Sequence, residues 1–235
     1  MKKIIASAAA AASICLCAGC SASLPEGYQQ FMQARERYET LDSAKVTMTD
    51  IDTGDEVMRF SFYFTGNDEM VFSYYGCWNG EEQQAYSDGA EFFYKDSGDE
   101  KWSVISSSDE YYIYNIYNRK YRYSYAEGRI FFIAPEAVDS AETGKTADGN
   151  SWIKYDYDAE KLNAENIPGI AEQISQFISL STTLETDPGG NVVSFTENGT
   201  FISADGEEMT LNMRIDVFDI NSVFDIPYPV DELNK

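Results

Sequence analysis

Five large apolar residues, Met209, Leu211, Met213, Ile215 and Val217, alternate with Thr210, Asn212, Arg214 and Asp216. A period of two places all five on one face of a β-strand and the polar residues on the other. Met58, Phe60, Phe62 and Phe64 repeat the pattern between Arg59, Ser61 and Tyr63, and "TGNDE" then turns the chain into Met70, Phe72, Tyr74 and Trp78. Two such runs joined by a short polar turn predict a hairpin. The alternation returns in "AEFFYKDSGDEKWSVIS", "SWIKYDYD" and "NVVSFTENGTFISADGEE", and "DSGDE", "DPGG", "ENGT" and "ADGEE" read as the turns between strands. A long series of one-sided strands joined by short turns predicts an antiparallel meander that buries one face.

Two segments change period. "YQQFMQARERYETLDS" carries Phe31, Ala34, Tyr38 and Leu41 at helical spacing and predicts an amphipathic helix before the strands. Ile167, Ile170, Ala171, Ile174, Phe177 and Ile178 form a second apolar stripe, with Asn166 as a cap and Pro168 in the first turn, and predict a helix inserted mid-chain. "EYYIYNIYNRKYRYSY" fits a strand at Tyr121, Tyr123 and Tyr125 and a helix over 111–118, so both readings stand. The expected class is α+β, with one large curved antiparallel sheet, an N-terminal helix and one inserted helix.

The amino-terminal twenty residues set the compartment. Lys2 and Lys3 precede a short alanine-rich apolar run that ends in Leu16-Cys17-Ala18-Gly19-Cys20. That layout predicts a secretory signal over residues 1–19 and not a membrane-spanning helix. Its ending resembles the bacterial lipobox, which implies a diacylglyceryl group on Cys20; Cys17 stands where the family usually has leucine. A C-x-C-x-x-C metal cluster is the competing reading of Cys15, Cys17 and Cys20, but the chain has no histidine and no fourth ligand lies nearby. Residues 20–27 then form a lipidated N-terminus and short tether, and 28–235 a single domain, since no linker, like-charge block or repeat divides them. The whole chain has 40 acidic and 17 basic residues. Such a charge is repelled by nucleic acid and by anionic lipid, so lipid and not a basic patch would anchor it to the outer face of the cell membrane. Cys77 is left as the one unmodified cysteine, expected to be a small buried apolar residue.

The order of these parts resembles the LolA-like and LppX-like lipoproteins, including the LolA-like lipoproteins of Gram-positive bacteria. The order is lipobox, tether, helix, strands with "YSDGAEFFYKDSGDEKW", a mid-chain helix, and strands closing in "RIDVFDINSVFDIPYP". The resemblance implies a half-barrel whose concave face, partly plugged by helices, holds acyl chains or another apolar ligand. It supplies no catalytic residues.

The residues also weigh against catalysis. Without histidine there is no Ser-His or Cys-His nucleophile pair and no usual zinc ligand. Gly144-Lys145-Thr146 copies the end of a phosphate loop, but Asp139 stands where the motif needs glycine, so a polar loop is expected. Asp50, Asp52 and Asp55 in "TDIDTGDE" depart from the calcium-loop pattern, because Gly54 falls one residue early, and predict an ordinary turn. Acidic pairs of the glycosidase kind cannot be chosen among 40 acids that ordinarily stay in solvent. No cofactor or metal is expected. Aromatic residues make up 14% of the chain, enough either to fill the inside of a curved sheet or to coat a groove. The expected ligand-facing set is Phe60, Phe62, Phe72, Tyr74, Met209, Met213, Ile170, Ile174 and Phe177. The alternative is an interaction module that holds a partner protein or wall polymer through the tyrosines of residues 111–125.

Overall fold

The computed structural model describes residues 24–65, 69–78, 80–89, 91–105, 131, 133–162 and 174–227. A helix α1 (Tyr28–Glu39) leads into eleven strands: β1 (Ser43–Asp50), β2 (Glu56–Phe64), β3 (Met70–Trp78), β4 (Glu81–Ser87), β5 (Phe92–Asp96), β6 (Ser103–Ile105), β7 (Val138–Lys145), β8 (Ser151–Tyr157), β9 (Ile174–Thr186), β10 (Val192–Ser203) and β11 (Glu208–Phe218). All pair antiparallel in one sheet, in the order β6-β5-β4-β3-β2-β1-β11-β10-β9-β8-β7. The chain starts at the middle of the sheet, meanders to one edge, resumes at the other edge and returns, so β1 and β11 close a central seam. Among the described residues the edges β6 and β7 do not pair, and the sheet stays open.

The sheet curls around α1. One continuous core contains Phe62 of β2 and Tyr155 of β8, five strand steps apart, together with Phe31, Ala34 and Tyr38 of the helix. Five steps of a flat sheet would span about 24 Å, more than twice the width of a helix, so only a concave face lets one helix join both sides. The Phe31 ring lies 5.9 Å from Tyr155 and 6.3 Å from Phe195, and Tyr38 meets Phe131 edge-on at 4.9 Å. These are separations at which tilted aromatic pairs attract.

The residues just before α1 position this helix. Gly27 takes a left-handed backbone (φ 75°) against the Ile153 side chain, where a Cβ would sit 3.0 Å from a methyl. The Tyr155 hydroxyl donates to the Glu26 carbonyl at 3.0 Å, and Thr143 donates to the Glu26 carboxylate at 2.9 Å. At the other end the Thr40 hydroxyl donates to the Arg37 carbonyl, and the helix stops four residues before β1. This satisfies one of the carbonyls that a helix C-terminus leaves open.

A smaller apolar cluster lies on the opposite, convex face: Val71, Tyr86 and Phe93 from β3, β4 and β5 are covered by Val223 and Ile226. Strand β11 ends at Phe218, short of the "DINSVFDIPYP" that the sequence extends it through, because Asp219 and Asn221 adopt left-handed backbones (φ 52° and 53°). Asn and Asp tolerate that region better than other side-chain-bearing residues. The Asn221 side-chain oxygen then accepts the backbone N–H groups of Asp42 and Ser43, and Val223 N–H donates to the Ser43 hydroxyl at 3.0 Å. These bonds fold the C-terminal segment back over the sheet.

Two expectations need correction. Ile174, Phe177 and Ile178 belong to strand β9 and not to a helix; residues 166–173 of the expected helix lie outside the described residues. The pairing shifts between Thr200 and Phe201, so that Ser179 and Phe177 face successive residues of β10 and Ile178 is the extra residue of a bulge. The bulge puts Phe177 and Leu180 on the same face at a spacing of three, with Ile178 46% exposed, which reproduces a helical signature inside a strand. The second correction is "ENGT", which is no turn: β10 runs unbroken from Val192 to Ser203 through Glu197, Asn198, Gly199 and Thr200. Asn-Gly favours a hairpin turn, but Gly199 serves a close approach instead, since a Cβ there would lie 2.7 Å from the Ser179 carbonyl oxygen beside the bulge.

Candidate functional site: the concave face

Strand register shows which side chains share the concave face. Phe62 stands between Ala44 and Phe72, and Phe60 between Val46 and Tyr74. Across the seam Val46 faces Val217 and Met48 faces Ile215. Further on, Ile215 faces Phe195, Met213 faces Glu197, Leu211 faces Gly199 and Met209 faces Phe201. Leu184, Thr182 and Phe177 of β9 continue the rows from Phe195, Glu197 and Phe201. Of the expected ligand-facing set, Phe60, Phe62, Phe72, Tyr74, Met209, Met213 and Phe177 therefore lie on one face, and Ile174 packs against the same core. Ile170, Cys20 and the tyrosines of 111–125 lie outside the described residues.

Burial along this face is graded. Where α1 sits, Phe62, Phe195 and Ile215 are fully buried. Elsewhere on the face the lining stays apolar but is less enclosed: Phe60, Phe64, Tyr74, Phe92, Phe201, Leu211 and Met213 are half-buried and Met209 is 45% exposed. The aromatics on the β2–β5 side touch one another in a chain, with Phe60 5.5 Å from Phe62 and 5.7 Å from Phe72, and Phe72 6.0 Å from Phe92.

Among the described residues several polar groups interrupt this lining, and three of them stand out. Glu197 projects from the middle of β10 between Met213 and Thr182 and makes no hydrogen bond or ion pair among the described residues. Burial pushes its carboxyl up to about 8, so near neutrality it is mostly the uncharged acid and offers a proton. Beside it the Tyr157 and Thr182 hydroxyls share a buried hydrogen bond of 3.1 Å. Burial, more than any other cause, raises the Tyr157 phenol far above its ordinary value. Burial likewise pushes Tyr155 up to about 12, with Tyr28 and Glu26 adding to it. The third group is Arg35 on the buried side of α1, only 9% exposed. Its Nη1 lies 3.9 Å from the Met32 sulfur, and its Nε has no acceptor among the described residues. An apolar concavity with a few convergent polar groups is the usual make-up of a small-molecule site.

Neither Arg35 nor Glu197 is among the residues expected from sequence, although both carry a signal. Arg35 continues the 31-34-35-38 stripe of the helix, and Glu197 falls on the inner side of the alternation Phe195-Glu197-Gly199-Phe201 once that segment is read as a strand.

The expected turn at Asp50–Asp55 is present. The Asp50 carboxylate accepts the backbone N–H groups of Asp52 and Thr53, and Asn212 donates to Asp52 at 2.7 Å, so these acids serve the turn itself. Gly144 and Lys145 end strand β7 and do not form a loop. Gly144 lets the Trp152 ring lie flat across its backbone, where a Cβ would come within 2.5 Å of a ring carbon. Cys77 is a free thiol and half-buried, less enclosed than expected.

With the geometry in place, the chain can be compared with known proteins. It is similar in fold to LprF. The crystal structure of LprF from Mycobacterium bovis superposes with a TM-score of 0.48 at 14% identity, covering 88% of this chain and 99% of that one. No protein-family model matches the sequence, and no curated protein matches it. No helix among the described residues is long and apolar enough to cross a membrane.

Proposed function

We propose that this chain is an extracytoplasmic lipoprotein, tethered through Cys20, that holds an acyl-type apolar ligand against the concave face of an open half-barrel. The observation that carries the reading is the graded cover of that face. Apolar residues continue well past the part of the sheet that α1 buries, and Phe201, Leu211, Met213 and Tyr74 remain only half-buried. Large aromatic and thioether side chains suit a binding surface that adapts to a flexible chain, because methionine in particular repacks at little cost. The role proposed is binding: among the described residues the face carries the Glu197 carboxyl, the Thr182 hydroxyl, the Arg35 guanidinium and the hydroxyls of Tyr74, Tyr155 and Tyr157, groups suited to orienting a ligand.

Native mass spectrometry of the protein purified from its host, followed by solvent extraction, tests this. The expected result is a mass increment that organic solvent removes and that added long-chain lipid restores. A protein of bare polypeptide mass that takes up no acyl compound would overturn the proposal.

A further inference from the structure

Arg35 is the residue on the concave side that the fold leaves least explained. It lies on the same stripe of α1 as Phe31, Ala34 and Tyr38, all buried, and is itself 9% exposed. Its guanidinium forms no ion pair among the described residues, and its only neighbouring acceptor is the Met32 sulfur at 3.9 Å from Nη1. Nε is enclosed and has no acceptor among the described residues. Arginine carries its charge into a protein interior. Burying such a charge unpaired is costly. Nor is the missing partner explained by composition, since the chain holds 40 acidic residues against 17 basic ones.

We infer that Arg35 is the headgroup anchor of the concave site, and that the ligand is an amphiphile with an anionic oxygen headgroup, a carboxylate or a phosphate. The inference rests on the apolar-ligand reading given above. Nη1 is turned toward Met32, which leaves the Nε and Nη2 edge, the edge whose two parallel N–H groups match the two oxygens of a carboxylate or phosphate. Met32 sits at Nη1 and is itself half-buried, so it does not occupy that edge. Its stripe neighbours Phe31, Ala34 and Tyr38 share one apolar core with Phe62, Phe72 and Phe195 of the sheet, so an acyl chain attached to that headgroup would meet apolar surface.

The test is a titration of the full chain with hexadecanoate, hexadecyl phosphate, hexadecanol and inorganic phosphate. Both anionic amphiphiles should bind the wild-type protein about 10- to 100-fold more tightly than the alcohol, the range expected for charge-assisted hydrogen bonds in a buried place. Inorganic phosphate alone should bind far more weakly than hexadecyl phosphate. Arg35→Met should abolish the preference, so that the anions bind it no more tightly than hexadecanol does, while Arg35→Lys, with the charge but not the fork, should retain part of it. Arg35→Met should also raise the melting temperature of the ligand-free protein by a few degrees, because an unpaired buried charge has been replaced by apolar volume. An arginine that merely supported the fold would give a lower melting temperature. Equal binding of alcohol and anions by the wild type would refute the anchor and leave the apolar site standing. Inorganic phosphate binding as tightly as hexadecyl phosphate would also refute it, and failure of all three amphiphiles to bind would remove both proposals. If Arg35→Met fails to fold, the wild-type preference and the Arg35→Lys titration decide the matter.

Discussion

Phe195→Ala is expected to destabilise the protein by about 4 kcal/mol, measured as the shift of the urea midpoint at constant slope. Phe195 is fully buried and stands where three parts of the molecule meet. Its ring lies 6.3 Å from Phe31 of α1 and 5.6 Å from Phe131, both edge-on. In the sheet it is flanked by Ile215 and Leu184, each 1% exposed or less. Truncation removes the buried ring and leaves a cavity that these rigid neighbours cannot fill. A loss below about 1.5 kcal/mol would mean that the helix is not docked on this residue. Phe224 is a useful control: it is 79% exposed, and its replacement by alanine should change stability by less than about 0.5 kcal/mol.

Glu197→Gln is expected to stabilise the protein in alkaline solution and leave it almost unchanged in acid. The folded carboxyl titrates near 8, against 4.5 in the unfolded chain. Above about pH 4.5 the unfolded chain therefore gives up a proton that the folded protein keeps. Folding stability then falls as pH rises from about 4.5 to about 8 and is level beyond, the opposite of a salt-bridged acid. The groups that face Glu197 are uncharged in this range: Thr182 and Met213 beside it, and the Tyr157 and Tyr155 hydroxyls, whose burial holds them protonated. The loss should be about 3 kcal/mol, less than for complete burial, because the side chain is only half-enclosed and keeps some contact with the open face. Thermal unfolding of wild type and variant from pH 5 to 9 measures this directly. The two melting temperatures should coincide near pH 5 and separate by roughly 6–10 °C at pH 9, with the variant higher. A difference that does not vary with pH would show that Glu197 titrates as an ordinary surface acid.

The strands were readable in the sequence wherever one face is apolar and the period of two is unbroken, as in β2, β3, β8 and β11, and α1 was readable from the Phe31, Ala34, Tyr38 spacing. Strand β7 (VDSAETGK) was not, because as an edge strand it exposes most of its side chains and shows no apolar alternation. The segment around Ile174–Ile178 was misread because a bulge shifts the inward positions from a spacing of two to three. At "ENGT" the local turn preference of Asn-Gly is overridden by pairing on both sides, to β9 and to β11. The same override hid Glu197, the acid that projects into the concavity. Arg35 was hidden for a different reason: a charged residue on a buried helix stripe is recognised as unusual only once its lack of a partner is known. The lining aromatics were legible as an inward-facing set, but how far α1 covers them depends on contacts between elements far apart in the chain, which periodicity does not contain.

The central claim is that the concave face binds an acyl chain, and photolabelling tests it most directly. A hexadecanoate carrying a terminal diazirine, irradiated with the full chain and mapped by peptide mass spectrometry, should mark Phe201, Leu211, Met213 and Tyr74, and excess unlabelled hexadecanoate should suppress the marks. Adducts confined to the convex cluster around Val71, Tyr86 and Phe93, or labelling that the unlabelled acid does not compete away, would contradict it.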